Sequence, residues 1–247
     1  MTKLNGGTPI SDGPFRNGSM YLTYTNEGMP IGAFWGYKTD GLIQTQEQLN
    51  AVKRADFQPN AELGDVLFVD TNGDGKLDSS DRCMIGNPIP DIIYGINMGM
   101  AWKGFDLNLQ FGGTIGNQIF NAMRYYTYFP NDITNKDRAL MNYWTPNNTN
   151  TDIPRLTATD VNDNDRFSDM YVENGTYFRL RNAQLGYTLP ASLTQRIKLQ
   201  KVRFYVSGQN LFTISSYSGM DPEVGQSSSL SRGIDSVSYT HLTLPTT

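Results

Sequence analysis

The sequence has almost no cysteine or histidine, no excess of positive charge and no long apolar run. One cysteine (Cys83) allows no disulfide within the chain, and one histidine (His241) excludes zinc sites that need a histidine pair. A net charge of −4 lacks the basic footprint of nucleic-acid binding, so we expect no nucleic-acid partner. No apolar run approaches the roughly 18 residues of a transmembrane helix, although membrane-spanning strands need no such run.

Glycine and aromatic residues are what the sequence has in quantity. It contains 24 Gly, 14 Tyr, 12 Phe and 3 Trp, whereas only 18% of its residues are charged. Aromatic side chains suit the pleated surface of a sheet, and glycine suits turns. The composition therefore favours an all-β fold with many turns.

The clearest strand pattern is a hairpin over residues 94–112. Lys103 and Gly104 form a plausible two-residue turn between two stretches of strict period-two alternation. Each stretch is nearly as long as the roughly 9–11 residues with which a tilted strand crosses a bilayer. The apolar face carries Tyr94, Ile96, Met98, Met100 and Trp102, then Phe105, Leu107, Leu109 and Phe111. Asn97 and Asn108 lie on the opposite face.

Alternation recurs at residues 182–189 and 202–209, joined by a short segment, 190–200, that could form a helical turn. Periodicity alone leaves open a soluble β-sandwich with one wet face. The polar face, however, is rich in Gly, Asn, Gln and Ser and poor in charge, as expected of a barrel lumen. The long connections, residues 66–93 and 113–177, contrast with the short ones, and outer-membrane barrels place long loops outside the cell. We therefore predict part of an antiparallel transmembrane β-barrel with long extracellular loops.

An acidic loop follows the template of a calcium-binding loop. Gly75 occupies position 6, where such a loop turns sharply, and Leu77 supplies the apolar residue at position 8. The candidate ligands are Asp70, Asn72, Asp74, Asp78 and Asp81, with the backbone carbonyl of Lys76. Asp81 stands where the template has Glu, and a strand precedes the loop instead of a helix. A structural calcium ion is the favoured interpretation, and an empty loop of Asx turns is the alternative.

Aromatic residues of the second long connection are candidates for substrate contact, because aromatic faces can stack on sugar rings. The candidates are Tyr125, Tyr126, Tyr128 and Trp144. The alternative is that these rings pack the loop or dock against a partner protein.

A series of motifs resembles the SusC/RagA family of TonB-dependent outer-membrane transporters, and the series follows the order in which the family has them. Two of the most distinctive motifs are Pro-Ile-Gly-Ala-Phe-Trp-Gly-Tyr-Lys-Thr-Asp-Gly at 30–41 and Gly-Asp-Val-Leu-Phe-Val-Asp-Thr-Asn-Gly-Asp-Gly at 64–75. The others lie at 85–88, 90–91, 103–106, 168–169, 174–182, 185–190, 205–212 and 218–225.

The resemblance implies that residues 1–235 are a C-terminal portion of a TonB-dependent receptor barrel in the outer membrane. The plug domain and the TonB-contacting box of the family would lie upstream of this segment. Residues 236–247, which include His241, fit no family motif, and we interpret them as a non-native tail.

The function implied is import of oligosaccharides or peptides through the outer-membrane lipid bilayer, together with a SusD-like surface lipoprotein and energised by the TonB system. The alternative from another class is a secreted, calcium-stabilised β-domain that binds carbohydrate. A glycoside hydrolase would need two placed carboxylates, and no pair stands out, so we expect no enzyme.

Overall fold

The computed structural model describes residues 7–17, 20–128, 136–195, 198–224 and 230–236, and the chain divides into two compact units. The sheet unit comprises residues 90–117 and 174–222, and the core unit comprises residues 1–89, 118–173 and 223–247. Among the described residues, no helix is long and apolar enough to cross a membrane.

Strands dominate both units, and those of the sheet unit are the longest, at 11 to 13 residues. In chain order the strands are β1 (Ile10–Asn17), β2 (Met20–Thr25), β3 (Ala33–Gly36), β4 (Thr39–Leu42), β5 (Val66–Phe68), β6 (Cys83–Gly86), β7 (Ile92–Trp102), β8 (Phe105–Ile115), β9 (Gln118–Phe120), β10 (Val172–Asn174), β11 (Tyr177–Thr188) and β12 (Arg203–Ser215). The α-helices are α1 (Gln46–Arg54), α2 (Ala122–Thr127) and α3 (Ala191–Thr194). Short 3-10 helices occur at Ser79–Asp81, Arg138–Asn142 and Asp169–Tyr171. The predicted all-β class is confirmed.

The sheet unit is one antiparallel sheet of four strands in the order β12-β11-β8-β7. The predicted hairpin turn is confirmed, since Lys103 and Gly104 have φ values of 46° and 90°. Positive φ at both central residues is the geometry of a type I′ turn, whose twist matches that of the flanking strands. In the described residues β7 and β12 each pair on one side only, so both are edges of this sheet.

The second short connection also matches its prediction. Helix α3 lies between β11 and β12, and the amide of Leu189 donates to the carbonyl of Val202 at 3.0 Å. The alternation is interrupted between Leu180 and Asn182, where the register of β11 shifts against both of its neighbours. This bulge was not predicted.

The core unit contains most of the two long connections, residues 66–93 and 113–177, together with the residues that precede them. Its largest sheet has the order β1-β2-β3-β6, and two-stranded sheets join β4 to β5 and β9 to β10. These two long connections contain short strands and helices, which fold together with residues 20–65. Helix α1 illustrates the local logic: Thr45 caps it, and Gln48 completes a reciprocal capping box.

Apolar side chains of the core unit form three buried clusters. The first contains Leu22, Phe34, Ile85, Phe120, Ala122, Phe167, Tyr171 and Ile234. The second contains Tyr37, Leu42, Phe57, Val66, Phe68 and Trp144, and the third contains Ile43, Leu49 and Ala61. The core unit thus buries its apolar residues in its own interior.

Candidate functional site

The apolar face of the sheet unit is exposed. On β7, Ile96, Met98, Met100 and Trp102 expose between 48% and 69% of their surface. Asn97 and Gly99, on the opposite face of the same strand, are exposed as well. A soluble monomer rarely exposes an apolar patch larger than a few hundred Å². A sheet with one apolar and one polar face, both open, fits a wall between lipid and water.

An aromatic row crosses all four strands at the end that carries the short turns. Phe105 pairs with Trp102 on one side and with Tyr187 on the other, and Tyr187 pairs with Phe204. The rings of Phe105 and Tyr187 lie 4.5 Å apart between centroids.

A second aromatic group crosses the sheet toward the other end. The ring of Phe178 lies 5.3 Å from Phe111, 6.4 Å from Tyr94 and 6.3 Å from Phe212. Along β7, Tyr94 and Trp102 are eight residues apart, or about 27 Å at the rise of an antiparallel strand. At barrel tilt that is a height of about 20 Å, close to the apolar band of about 25 Å between the aromatic girdles of outer-membrane barrels.

The polar face of the sheet carries an ion pair that crosses one strand. Arg203 of β12 donates to both carboxylate oxygens of Asp106 on β8, at 3.0 and 2.5 Å. Between them lies Gly186 of β11, where an added Cβ would fall 2.5 Å from the Arg203 guanidinium and 2.6 Å from the carboxylate. The missing side chain of Gly186 makes room for this pair, which sequence reasoning did not find.

The acidic loop is held by hydrogen bonds from its own backbone. Asp70 accepts from the amides of Gly73 at 2.6 Å and Gly75 at 2.8 Å. The bond from Gly75 is the largest cause that lowers the pKa of Asp70. Gly75 has a φ of 78°, so the predicted sharp turn is confirmed. Asn72 and Asp74 contact each other and accept from the amides two residues ahead.

Asp81 closes this loop from its buried end. Its carboxylate accepts from the amide of Thr71 at 2.9 Å and from the amide of Asp78 at 3.0 Å. Asp78 in turn caps the short helix Ser79–Asp81, and Leu77 packs against the second apolar cluster as predicted. Among the described residues, no three Asp, Glu, His or Cys side chains are gathered closely enough to hold a metal ion. The calcium site therefore stays a prediction.

The predicted aromatic candidates have different surroundings. Trp144 is buried in the second cluster and packs over Gly64, so its ring offers no free face. Tyr125 packs against the first cluster. Tyr126 is exposed, and partly exposed Tyr128 lies under the guanidinium of Arg124, 4.8 Å from its ring centroid. The described surface therefore leaves Tyr126 and Tyr128 as the accessible pair.

Sequence reasoning also missed a buried polar network that joins residues 58–68 to residues 155–166. Arg155 Nε donates to the fully buried carboxylate of Asp65 at 2.6 Å, and Asn164 Nδ2 donates to the same oxygen at 3.1 Å. Asn164 also accepts from the amide of Val66 at 2.9 Å. The only signal in the sequence was the polar run Asn-Asp-Asn-Asp at 162–165, which by itself indicates a turn.

No protein-family model matches the chain. TonB-dependent receptor P3 of Formosa agariphila is 38% identical over 223 residues, which cover 86% of this chain and 21% of that receptor. TonB-dependent receptor SusC of Bacteroides thetaiotaomicron is 30% identical over 169 residues, which cover 68% of this chain and 16% of SusC.

A solved transporter structure has a similar fold. The RagAB peptide transporter matches with a TM-score of 0.64 and 25% sequence identity, over 86% of this chain and 21% of that chain. The chain belongs to the SusC/RagA family of TonB-dependent receptors. It spans about a fifth of the length of the curated receptors it matches. Receptors of this family lie in the outer membrane and are not enzymes, so the predicted location and the absence of an enzyme activity are confirmed.

Proposed function

We propose that this receptor segment forms part of the wall and part of the extracellular loops of an outer-membrane transporter. The whole receptor would import oligosaccharides or peptides together with a SusD-like surface lipoprotein. The TonB system would supply the energy through a plug domain that belongs to the rest of the receptor. The observation that carries the proposal is the exposed apolar face of the sheet unit between its two aromatic rows.

The same face argues against the alternative of a secreted carbohydrate-binding domain. A secreted domain would have to keep Met98, Met100 and Trp102 in water, and about half or more of each side chain is exposed. In a bilayer those side chains would be solvated by lipid at no such cost.

Connectivity supports an extracellular place for the core unit. The turns at 103–104 and 189–202 join strands at one end of the sheet, while the chain enters and leaves the core unit at residues 89–90, 117–118, 173–174 and 222–223. Outer-membrane barrels keep short turns in the periplasm and long connections outside. Within the core unit, exposed Tyr126 and partly exposed Tyr128 are the aromatic residues we propose for contact with substrate or lipoprotein.

The test is purification of the full-length receptor from outer membranes in a mild detergent. We expect a surface lipoprotein to co-purify and labelled oligosaccharide or peptide to enter cells that express both. A receptor found in the culture medium, without detergent, would contradict the proposal. Tyr126→Ala with Tyr128→Ala should lower uptake, whereas Met141→Ala, at another exposed site of the core unit, should not.

We also propose that the acidic loop binds one calcium ion and that the ion has a structural role. The ligands would be Asp70, Asn72, Asp74 and Asp78, with Asp81 closing the site and Lys76 contributing its carbonyl. Support comes from the φ of Gly75 and from the carboxylates, which line one short loop and keep free lone pairs beside the amide bonds they accept. The oxygens would have to draw together around the ion.

Calcium titration of the purified receptor tests this site. Asp70→Ala should lower the binding stoichiometry by one ion and speed proteolysis between residues 66 and 90, because the empty loop would open. Asp56→Asn removes an exposed negative charge elsewhere in the core unit, at a positive φ that Asn tolerates, and should change neither result. An equal number of calcium ions bound by the wild-type receptor and by the Asp70 variant would contradict the proposed calcium site.

A further inference from the structure

The turn end of the sheet unit has a net positive charge in its described residues. In the described residues 100–106, 187–195 and 198–205, the basic residues are Lys103, Lys198, Lys201 and Arg203, and Asp106 is the only acid. Arg203 and Asp106 neutralise each other in the ion pair across Gly186. The three lysines are exposed, and no ion pair is formed by them within this part of the chain.

One lysine lies directly on the aromatic row. The ε-amine of Lys103 is 4.8 Å from the centroid of the Trp102 ring. Trp and Tyr rings of membrane proteins sit at the level of the lipid headgroups. An amine held over Trp102 is therefore at the depth of the lipid headgroups.

The connection between β11 and β12 carries exposed apolar side chains as well as exposed lysines. Leu193 and Leu199 each expose about half of their surface, beside exposed Lys198 and Lys201. Exposed leucines next to exposed lysines are the pattern of segments that lie in a membrane interface. The loop thus continues the lipid-facing character of Phe204, the next aromatic residue along the chain.

We propose that Lys103, Lys198 and Lys201 bind the phosphate groups of anionic phospholipids in the leaflet around the turn end, with Leu193 and Leu199 entering the interface. The inference rests on the proposed membrane function, because it needs the sheet to stand in a bilayer. Charge selects the ligand: three unpaired amines at headgroup depth favour phosphatidylglycerol or cardiolipin over zwitterionic lipid. In the proposed orientation this leaflet is the periplasmic one.

The test uses the full-length receptor in detergent with fluorescent phosphatidylglycerol as the probe. Replacing the three lysines with Gln should weaken binding of the probe by about a hundredfold, since each lysine near an anionic surface contributes about fivefold. A matched variant with Lys38→Gln, Lys53→Gln and Arg54→Gln removes three exposed charges of the core unit and should bind as the wild type does. Binding of phosphatidylcholine should be the same in all three proteins.

Arginine variants and competition with inorganic phosphate distinguish lipid binding from other causes. Lys198→Arg with Lys201→Arg should retain binding, and higher salt should weaken binding to the wild type but not to the Gln variant. Inorganic phosphate at the probe's concentration should fail to displace it; full displacement would show a free-anion site and overturn the lipid assignment. Equal probe binding by wild type and Gln variant would overturn the proposal and leave the transporter function standing. A wild-type receptor that cannot be inserted into any bilayer would overturn both.

Discussion

The sheet unit and the core unit place their apolar residues in opposite ways. The core unit surrounds Phe34, Phe120 and Tyr171 completely, so that these rings have almost no exposed surface. The sheet unit leaves Met98 and Met100 open over a single layer of strands. Apolar side chains are therefore enclosed by protein in the core unit. In the sheet unit, comparable side chains are left exposed on one face.

The difference shows that local alternation and burial carry separate information. Strict alternation in β7 and β8 predicts a two-faced sheet, but it does not say which face meets water. The exposed apolar face and the aromatic rows at both ends are the observations behind the proposal that lipid is the medium on that side. In the core unit, β5 is only three residues long, and buried clusters instead of periodicity define its interior.

The largest expected effect is at the centre of the core unit. Phe120→Ala should destabilise the core unit by about 3–5 kcal/mol, because it leaves a cavity in a fully enclosed site. Met98→Ala, on the exposed face, should cost less than about 1 kcal/mol, because lipid can fill the space. Hydrogen exchange of residues 118–125 and 94–102 in the full-length receptor measures both. Equal costs would mean that the two units do not differ in how they are solvated.

The next effect separates the two faces of one strand. Met98→Arg should destabilise the receptor by about 2–4 kcal/mol near the bilayer midplane, because it places a charge in lipid. Asn97→Arg should cost less than about 1 kcal/mol, since the lumen face is hydrated. Denaturant titration of the receptor in lipid vesicles gives both values. If the two substitutions were equally costly, the assigned direction of the faces would be wrong.

A smaller effect is expected on the polar face at the turn end. Gly186→Ala should weaken the ion pair between Arg203 and Asp106 at a small cost in stability, because the added Cβ would fall 2.5 Å from the Arg203 guanidinium and surface ion pairs contribute little. Gly99→Ala is the control, since its Cβ would approach only Asn108 Oδ1, at 3.3 Å. If the Ala at 186 cost nothing, the ion pair would contribute nothing to the sheet.

The smallest effect depends on pH and belongs to the core unit. Burial, and next the charge of Asp163, raise the pKa of Asp160 above its usual value of 3.8, and its Oδ1 has no hydrogen-bond partner among the described residues. The folded state therefore disfavours the charged form, and this cost is present above the folded pKa and vanishes below about 3.8.

Asp160→Asn should then stabilise the core unit at neutral pH by less than about 1 kcal/mol, because the group is only partly buried. The gain should disappear in acid. Hydrogen exchange of residues 155–168, corrected for the intrinsic pH dependence of exchange, follows it. Asp40→Asn changes the net charge equally at an exposed site and should give no gain. A gain that persisted in acid would exclude ionisation as its cause.

The sequence was sufficient for features that depend on neighbours along the chain. Alternation predicted strands β7 and β8, and the pair Lys103 and Gly104 predicted the turn between them. Gly75 predicted the sharp turn of the backbone in the acidic loop. The short helical turn between β11 and β12 was also predicted. In each case the deciding contacts lie within a few residues of each other.

Features that depend on distant partners could not be predicted in this way. The buried network joins Asp65 to Asn164, 99 residues away, and no local pattern records that pairing. Trp144 is buried because Gly64 leaves room for its ring, so its role as a candidate for substrate contact could not be judged from its own segment. The bulge beside Arg181 depends on the register of two other strands.

The central claim is that the apolar face of the sheet unit meets lipid. The most direct test is a nitroxide scan from Ile93 to Ala101 in the full-length receptor, reconstituted in a bilayer. Accessibility to oxygen should peak at positions 96, 98 and 100, and accessibility to a water-soluble nickel chelate should peak at 95, 97, 99 and 101. A scan in which both reagents peak at the same positions, or in which neither alternates, would contradict the account.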